Sequence, residues 1–349
     1  MSSNNLGFFV SDSPTPTPST SVSTSASASP RALWYVGPEQ ADIRPVSLGE
    51  LAAEHCRIET LYTGISRGTE SLVFHGRVPT SEYSRMATPL MTGNFPFPVT
   101  FGYCNVGRVI QGPDSWLGKT VFSLGPHQTL FDAPSAMLAE VDPALPAPRA
   151  VLAANMETAL NAVWTGKPGP ADHIAVVGGG VVGLLVAFLC NQLPGAKVTL
   201  IDPLLARAVT CQELGIAYSS EAESIENCDL VFHASGHPAG LQTALGLAGN
   251  EATVVELSWY GTKPVCVELG GAFHSQQLRL QSCQVGHIEP SHQPRWNYNR
   301  RLTAALGLLA DARLEALLEP AVAFEQLPQA LHHILGGSQP SLCQVVDFS

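Results

Sequence analysis

Gly178-Gly179-Gly180-Val181-Val182-Gly183 fits the spacing G-x-G-x-x-G. The run follows the apolar segment HIAVV and opens the apolar segment VVGLLVAFLC. That strand–turn–helix setting is the one in which this spacing binds a dinucleotide. Gly178 permits the tight turn, Gly180 lets backbone approach a pyrophosphate, and Gly183 lets the helix pack closely on the strand. The N–H groups of Val181 and Val182 open the helix and offer partial positive charge to phosphate. Asp202 closes the next apolar run, VTLID, 19 residues past Gly183. A carboxylate there accepts bonds from both ribose hydroxyls and repels a 2′-phosphate, which favours NAD over NADP. Arg207, a turn further on, softens that preference and leaves room for NADP. Ser235 and Gly236 follow DLVFHA, where small residues let a nicotinamide riboside lie against backbone. Taken singly, the glycines are a tight turn and Asp202 a helix cap, and in combination the nucleotide reading wins; Ser235-Gly236 reads equally as an ordinary loop.

The elements that must hold these residues follow from periodicity. From about Arg149 onward, helix-length apolar patterns alternate with short apolar strands: AVLAANMETALNAVWTG, HIAVV, VVGLLVAFLCNQL, KVTLIDP, LLARAVTCQELG, CDLVFHAS, PAGLQTALGLA and ATVVELS. Alternation at this spacing predicts βαβ units and a parallel sheet. Between Leu33 and Val141 the segments are short, β-rich and broken by Gly and Pro, as in HCRIETLYTGI and PVTFGYCNVGRVI. That predicts a barrel-like region. NRRLTAALGLLADARLEALL reads as one late amphipathic helix, and LCQVVDF as a returning strand. The expected class is α/β. The expected parts are a tail over 1–30, a β-rich domain over 31–150, a dinucleotide-binding domain over 151–288 and a return to the first domain over 289–349.

Eighteen Lys and Arg against 29 Asp and Glu give a net charge of −11, and no basic cluster of size is present. Nucleic acid is therefore excluded as the main partner. The eight cysteines are scattered without a C-x-x-C pair, so neither a structural zinc site nor a disulfide framework is expected. A reducing, cytoplasmic setting is expected. Residues 11–30 hold 18 Ser, Thr, Pro or Ala of 20, too little apolar surface to fold. The tail is Ser-rich like an organelle transit peptide, but its first 30 residues lack Arg and Lys. The 17-residue run Ile174–Cys190 carries four glycines and is too short for a membrane span.

The order of parts resembles the medium-chain dehydrogenase/reductase superfamily over roughly Leu33 to the C-terminus. That resemblance implies a GroES-like β-barrel catalytic domain, a Rossmann domain and an active site in the cleft between them. YTGISRGTE, residues 62–70, resembles the T-G-I-C-R-S-D segment of zinc alcohol dehydrogenases, with one residue inserted, so their cysteine ligand falls on Ser66. FGYCNVG, residues 101–107, resembles their G-H-E-G-x-G segment, so the histidine ligand falls on Tyr103. Glu157 falls near a carboxylate that many zinc members carry. A hydroxyl and a phenol are poor zinc donors, and His55, His75, Cys104 and His127 lie in no ligand spacing, so no zinc is expected. GISRGTE and GYxxVGRV also resemble bacteriochlorophyllide dehydrogenases, which oxidise a hydroxyethyl side chain on a tetrapyrrole with NAD. The resemblance thus implies hydride exchange between a dinucleotide and a secondary alcohol or ketone, on a small molecule with a bulky ring. It also implies a homodimer joined at sheet edges.

Without metal, a developing alkoxide needs a hydrogen-bond donor. Tyr103 is the first candidate, with Ser66 and Thr69 as relay hydroxyls and Glu157 as a proton acceptor. The alternatives are a satisfied barrel tyrosine, loop hydroxyls bonded to backbone and a helix-start carboxylate. Arg67 is expected on the pyrophosphate and Thr158 against the nicotinamide, with Trp259-Tyr260 lining the cleft and Gln284-Val285-Gly286 near the carboxamide. His274 reads as a packed strand residue, and His332-His333 as a solvated face. Two rival functions stand beside this one: an NADPH-linked reductase of quinones or activated C=C bonds, and a dinucleotide-binding protein without turnover.

Overall fold

The structure, a computed structural model, describes residues 29–336 and 341–349. The tail expected over 1–30 lies outside them but for its last two residues.

Among the described residues, six strands form one parallel sheet in the order Ala217–Ser219, Lys197–Ile201, His173–Val177, Cys228–His233, Ala248–Glu256 and Arg279–Ser282. The chain enters at His173–Val177, winds outward through two strands, then returns to the other side at Cys228–His233. These two neighbours flank the point where the winding reverses, and ligands of such sheets sit beyond the carboxyl ends of the strands there. Ile174 to Val177 are all buried, the pattern of a strand covered on both faces. The helix Val181–Cys190 covers one face and buries every residue from Gly183 to Phe188.

The β-rich half builds a second sheet of seven strands among the described residues. His55–Ile65 is its spine, pairing antiparallel with Asn105–Gln111, Leu130–Pro134 and Cys343–Asp347. The last of these comes from the C-terminal LCQVVDF run and pairs in parallel with Leu318–Ala323. A hairpin, Arg31–Gly37 with Gln40–Pro45, stands apart.

Two local expectations are corrected. NRRLTAALGLLADARLEALL is not one helix: Tyr298–Leu308 is helical, Ala312–Leu317 is a 3₁₀ turn and Leu318 begins a strand. Asp311 makes the break, because its carboxylate accepts the Arg313 N–H at 3.0 Å and offers the backbone an alternative to continuing the helix. His274 is an exposed residue of a short helix, Ala272–Ser275, since Gly270-Gly271 interrupts any strand ahead of it.

The largest core runs through both sheets. Val106 and Phe122 of the β-rich half, Met156 and Ala159 of the helix Ala153–Gly166, and Leu184 and Phe232 of the parallel-sheet half belong to one buried cluster. The Val, Leu, Phe and Met side chains among them each contribute about 1.5–3 kcal/mol on burial, so this shared cluster holds one sheet against the other. A second core joins Leu33, Phe74 and Phe101 to the helix Leu327–Leu335, with Trp259 on its edge. Tyr103 packs against both cores, which places it at the junction.

Candidate active site

The glycine loop follows His173–Val177. Gly178 has φ +112°, and a Cβ there would lie 2.5 Å from the Ser235 N, so the turn after one strand packs on the turn after its neighbour. A Cβ on Gly183 would run into the Gly178 carbonyl oxygen. Around Gly180, the residue capping Val181–Cys190, a Cβ would find nothing within 4 Å. The open space lies where a helix start leaves its first N–H groups without intrahelical acceptors. Asp202 closes the loop from the side: its Oδ2 accepts the Gly179 N–H at 2.6 Å and its Oδ1 the Leu204 N–H at 2.9 Å. A carboxylate has about four lone-pair sites, so acceptor capacity remains for ribose hydroxyls. Arg207 is buried beside Gly179, and its Nε has no hydrogen-bond partner among the described residues. Burial lowers its pKa, against the pull of Asp202 and Glu319. Arg67 donates to the Ile334 and Ser341 carbonyls at 2.9 and 2.6 Å. Its pKa is lowered by burial and then by the Arg207 charge, with Glu319 opposing. An open cradle at a helix N-terminus, with two mutually repelling guanidinium groups near it, fits a dinucleotide's phosphates.

The second cluster is made of hydroxyls. The Tyr103 OH donates to the Ser66 Oγ at 2.6 Å, and the Asn155 Nδ2 reaches the same oxygen at 3.4 Å. The Thr69 hydroxyl also bonds Tyr103. Burial, more than the neighbouring Cys104, lifts the Tyr103 pKa well above its ordinary value, while the bonds to Ser66 and Thr69 act the other way. The group is therefore a phenol at neutral pH. Glu70, fully buried behind the loop, accepts the Ser66 N–H at 2.7 Å and the Tyr35 OH at 2.9 Å, and lies 2.9 Å from the His127 Nε2. The His127 Nδ1 is in turn 2.6 Å from the Thr63 Oγ1. This network locks GISRGTE from below and holds Ser66 in place. Sequence reasoning missed it, although Glu70 closes the quoted motif.

No family model matches the chain. The 2-desacetyl-2-hydroxyethyl bacteriochlorophyllide A dehydrogenase of Cereibacter sphaeroides is 25% identical over 268 residues, covering 70% of this chain and 78% of that protein. A crystal structure assigned as a zinc-binding dehydrogenase of Sinorhizobium meliloti 1021, bound to NADP, superposes with a TM-score of 0.74 at 17% identity, over 92% of this chain and 100% of the other. The 2R,3R-butanediol dehydrogenase of Bacillus subtilis superposes at 0.73 and 16% identity, with the same coverage. The fold is that of the medium-chain dehydrogenase/reductase superfamily.

Within that medium-chain dehydrogenase fold, the donor set departs from the zinc pattern. Ser66 and Tyr103 are the positions to which the motif resemblance assigns the zinc ligands, and a neutral hydroxyl bonded to a neutral phenol does not fit the metal. His127 is committed to Glu70, the His55 Nδ1 to the Ala53 carbonyl and the His75 Nδ1 to the Ser71 carbonyl, while the buried Cys104 thiol lies 3.8 Å from the Asn155 Oδ1. Among the described residues no three His, Cys, Asp or Glu side chains cluster as a metal site would require.

Glu157 turns to a different partner. The buried Arg301 donates to it from Nε at 3.0 Å and to the Asn161 Oδ1 at 2.7 Å. Burial raises the Glu157 pKa and Arg301 pulls it back. The pair joins the helix Ala153–Gly166 to Tyr298–Leu308, and no signal in the sequence links the two. The Thr158 hydroxyl bonds back to the Ala154 carbonyl at 2.9 Å. The Val285 carbonyl accepts from the Arg301 Nη2, and Trp259 packs on the core that carries Phe101. His332 and His333 are exposed. No helix among the described residues is long and apolar enough to cross a membrane.

Proposed function

We propose that the chain is an NAD(P)-dependent oxidoreductase that interconverts a secondary alcohol and a ketone, with hydroxyl donors in place of a catalytic metal. The observation that carries this reading is the 2.6 Å bond from the Tyr103 OH to the Ser66 Oγ, at the junction of the two halves. A bound dinucleotide supplies or accepts the hydride. Ser66 receives bonds from Tyr103 and Asn155, so its own O–H is the one free to donate to a substrate oxygen. As ketone becomes alkoxide, the Ser66 O–H bond gives its proton to that oxygen, Tyr103 replaces it on Ser66, and the Tyr103 oxygen takes the Thr69 hydroxyl proton in the same movement, solvent restoring the one Thr69 gives up. In the oxidation direction the same protons move in reverse. Arg67 and the helix N-terminus hold the pyrophosphate, Asp202 a ribose with Arg207 beside it for a 2′-phosphate, and Gly178, Gly180 and Gly183 shape the cradle.

The name of the Cereibacter relative, a dehydrogenase of a hydroxyethyl group on a tetrapyrrole, supports a ring-bearing alcohol or ketone as substrate. Residues 31–150 and 289–349 form the substrate-facing domain in this reading, and 151–288 the dinucleotide domain. A cytoplasmic homodimer completes it. The unpartnered Arg207 Nε favours a second reading, an NADPH-linked reductase of quinones or enones, because a 2′-phosphate would give that donor an acceptor.

The test uses the full chain with NADH or NADPH and a panel of ring-bearing ketones, quinones and enones, followed by loss of reduced cofactor. Turnover of ketones that survives chelation, in protein carrying no stoichiometric zinc, is the expected result. Chelator-sensitive turnover with about one zinc per chain would overturn the metal-free assignment. Exclusive turnover of quinones or enones would favour the second reading, and binding of either dinucleotide without turnover would leave a sensor or scaffold.

A further inference from the structure

Behind the hydroxyl pair lies a thiol that the mechanism above does not use. Cys104 follows Tyr103 in the chain, and its side chain is fully buried in the core shared by the two sheets. Its Sγ lies 3.8 Å from the Asn155 Oδ1, and the Asn155 Nδ2 lies 3.4 Å from the Ser66 Oγ. Asn155 belongs to the helix Ala153–Gly166 and is itself buried, as is Ser66. The three side chains come from three separate stretches of chain and form a line from the core to the reacting hydroxyl. Burial, and then the neighbouring Cys343 and Glu70, push the Cys104 pKa well above its ordinary value. The thiol therefore keeps its proton and can donate, weakly, to an acceptor.

A side-chain amide accepts at its oxygen and donates at its nitrogen, and the two ends are nearly equal in size. Two orientations of Asn155 therefore fill the same space. In the observed one, the oxygen meets the Cys104 S–H and the nitrogen donates to Ser66. Turned over, the nitrogen would meet the S–H, donor against donor, and the oxygen would meet Ser66. The Ser66 hydroxyl would then donate to Asn155, and its hydrogen would be lost to a substrate oxygen. One amide thus decides where the Ser66 hydrogen points, and the thiol decides which way the amide lies. An apolar side chain at position 104 would suit the core, yet it would leave the Asn155 oxygen without this donor.

We propose that Cys104 is a positioning residue for ketone reduction: acting through Asn155, it keeps the Ser66 hydrogen available to the substrate oxygen. This role rests on the hydroxyl-donor reading above. Cys104 and Asn155 touch neither substrate nor cofactor in it, and no proton leaves either of them. What they set is the direction of the hydrogen bonds that converge on Ser66.

The experiment is steady-state ketone reduction by the full chain, by Cys104→Ala, Cys104→Ser and Asn155→Ala, and by the double variant Cys104→Ala with Asn155→Ala. Cys104→Ala should lower kcat about two- to tenfold, the range of one net hydrogen bond, with KM and NADH affinity unchanged. Cys104→Ser restores a donor and should stay within about twofold of wild type. In Asn155→Ala the amide is gone, so adding Cys104→Ala should lower kcat no further. Cys104→Val, which fills the site without a donor, takes the place of Cys104→Ala should the latter fail to fold. The infrared S–H band of Cys104, isolated by subtracting the spectrum of the variant that lacks it, reads the same contact without turnover. It should stand at the lower frequency of a bonded thiol and rise in Asn155→Ala. Equal losses in Cys104→Ala and Cys104→Ser, an additive loss in the double variant, or a band that Asn155→Ala leaves in place would overturn the role of Cys104 while the hydroxyl reading stands. A wild type that reduces no ketone would overturn both.

Discussion

The Tyr103 hydroxyl and the Ser66 Oγ are 2.6 Å apart, and the same serine oxygen takes a second donor from the Asn155 Nδ2 at 3.4 Å. With both lone pairs of Ser66 occupied, the hydrogen is what this hydroxyl has left to offer. Ser66→Ala should therefore lower turnover of a ketone by about 10²–10³-fold, the loss typical of one oxyanion donor, with KM nearly unchanged. Tyr103→Phe should cost less, about tenfold, because it removes the group behind the donor and not the donor. The double variant should match Ser66→Ala alone, as residues acting as a unit do. Steady-state kinetics of the three variants check this, and a larger loss in Tyr103→Phe would place the phenol itself on the substrate.

The pH course of the same reaction follows from Tyr103. Its pKa stands above the ordinary 10.0, chiefly through burial, so the proton-bearing form persists through neutral and mildly alkaline pH. Ketone reduction should show no fall assignable to this group below about pH 10, the ordinary phenol value. A rate that declines through pH 8–9 in the wild type, and not in Tyr103→Phe, would show an ionising phenol and contradict the burial seen here.

The parallel sheet and the glycine loop were legible because both are local. Strand period, helix period and a fixed glycine spacing lie within runs of a dozen residues, and the structure places Gly178, Asp202 and Ser235 on neighbouring strand ends. The hydroxyl pair needed a resemblance, since Tyr103 and Ser66 are 37 residues apart in sequence. What stayed hidden were polar side chains paired across long separations. Arg301 lies 144 residues from Glu157, and His127 lies 57 from Glu70. No periodicity reports such a pairing. His233, at the end of an apolar strand, likewise finds its partner Glu256 on the next strand. The late helix was overextended because an apolar pattern continues through Asp311, where a side-chain cap competes with the helix.

Gly180 and Gly183 separate binding from folding. A Cβ on Gly180 meets nothing within 4 Å, so Gly180→Ala should fold with a thermal midpoint close to wild type. The added methyl would project into the space reserved for phosphate, and NADH affinity should fall at least about tenfold, the upper end of what one net hydrogen bond is worth. Gly183→Ala has no such freedom, because its Cβ would strike the Gly178 carbonyl. Overpacking of this kind costs about 1–3 kcal/mol, so this variant should lose stability and binding together. Thermal unfolding and NADH fluorescence titration of both proteins distinguish the two outcomes. Tight NADH binding by Gly180→Ala would show that the dinucleotide does not use this cradle.

Cofactor preference turns on Asp202 and Arg207, which face the same stretch of loop from opposite charges. The Asp202 oxygens hold the Gly179 and Leu204 N–H groups, so this carboxylate both shapes the loop and repels a 2′-phosphate. Arg207 carries a buried Nε with no partner among the described residues, a donor that an added phosphate would satisfy. Removing the negative charge in a side chain of the same size, with the loss of one of these two loop bonds for both cofactors alike, should shift the balance: Asp202→Asn should bind NADPH about tenfold more tightly relative to NADH, about 1.4 kcal/mol. Arg207→Gln should shift it the other way, weakening NADPH more than NADH, because the pyrophosphate keeps Arg67 and the helix N-terminus whereas a 2′-phosphate keeps neither. Competitive titration of the two cofactors against each variant measures the ratio directly. If Arg207→Gln weakens both equally, the guanidinium serves the pyrophosphate, and Asp202 alone sets the preference.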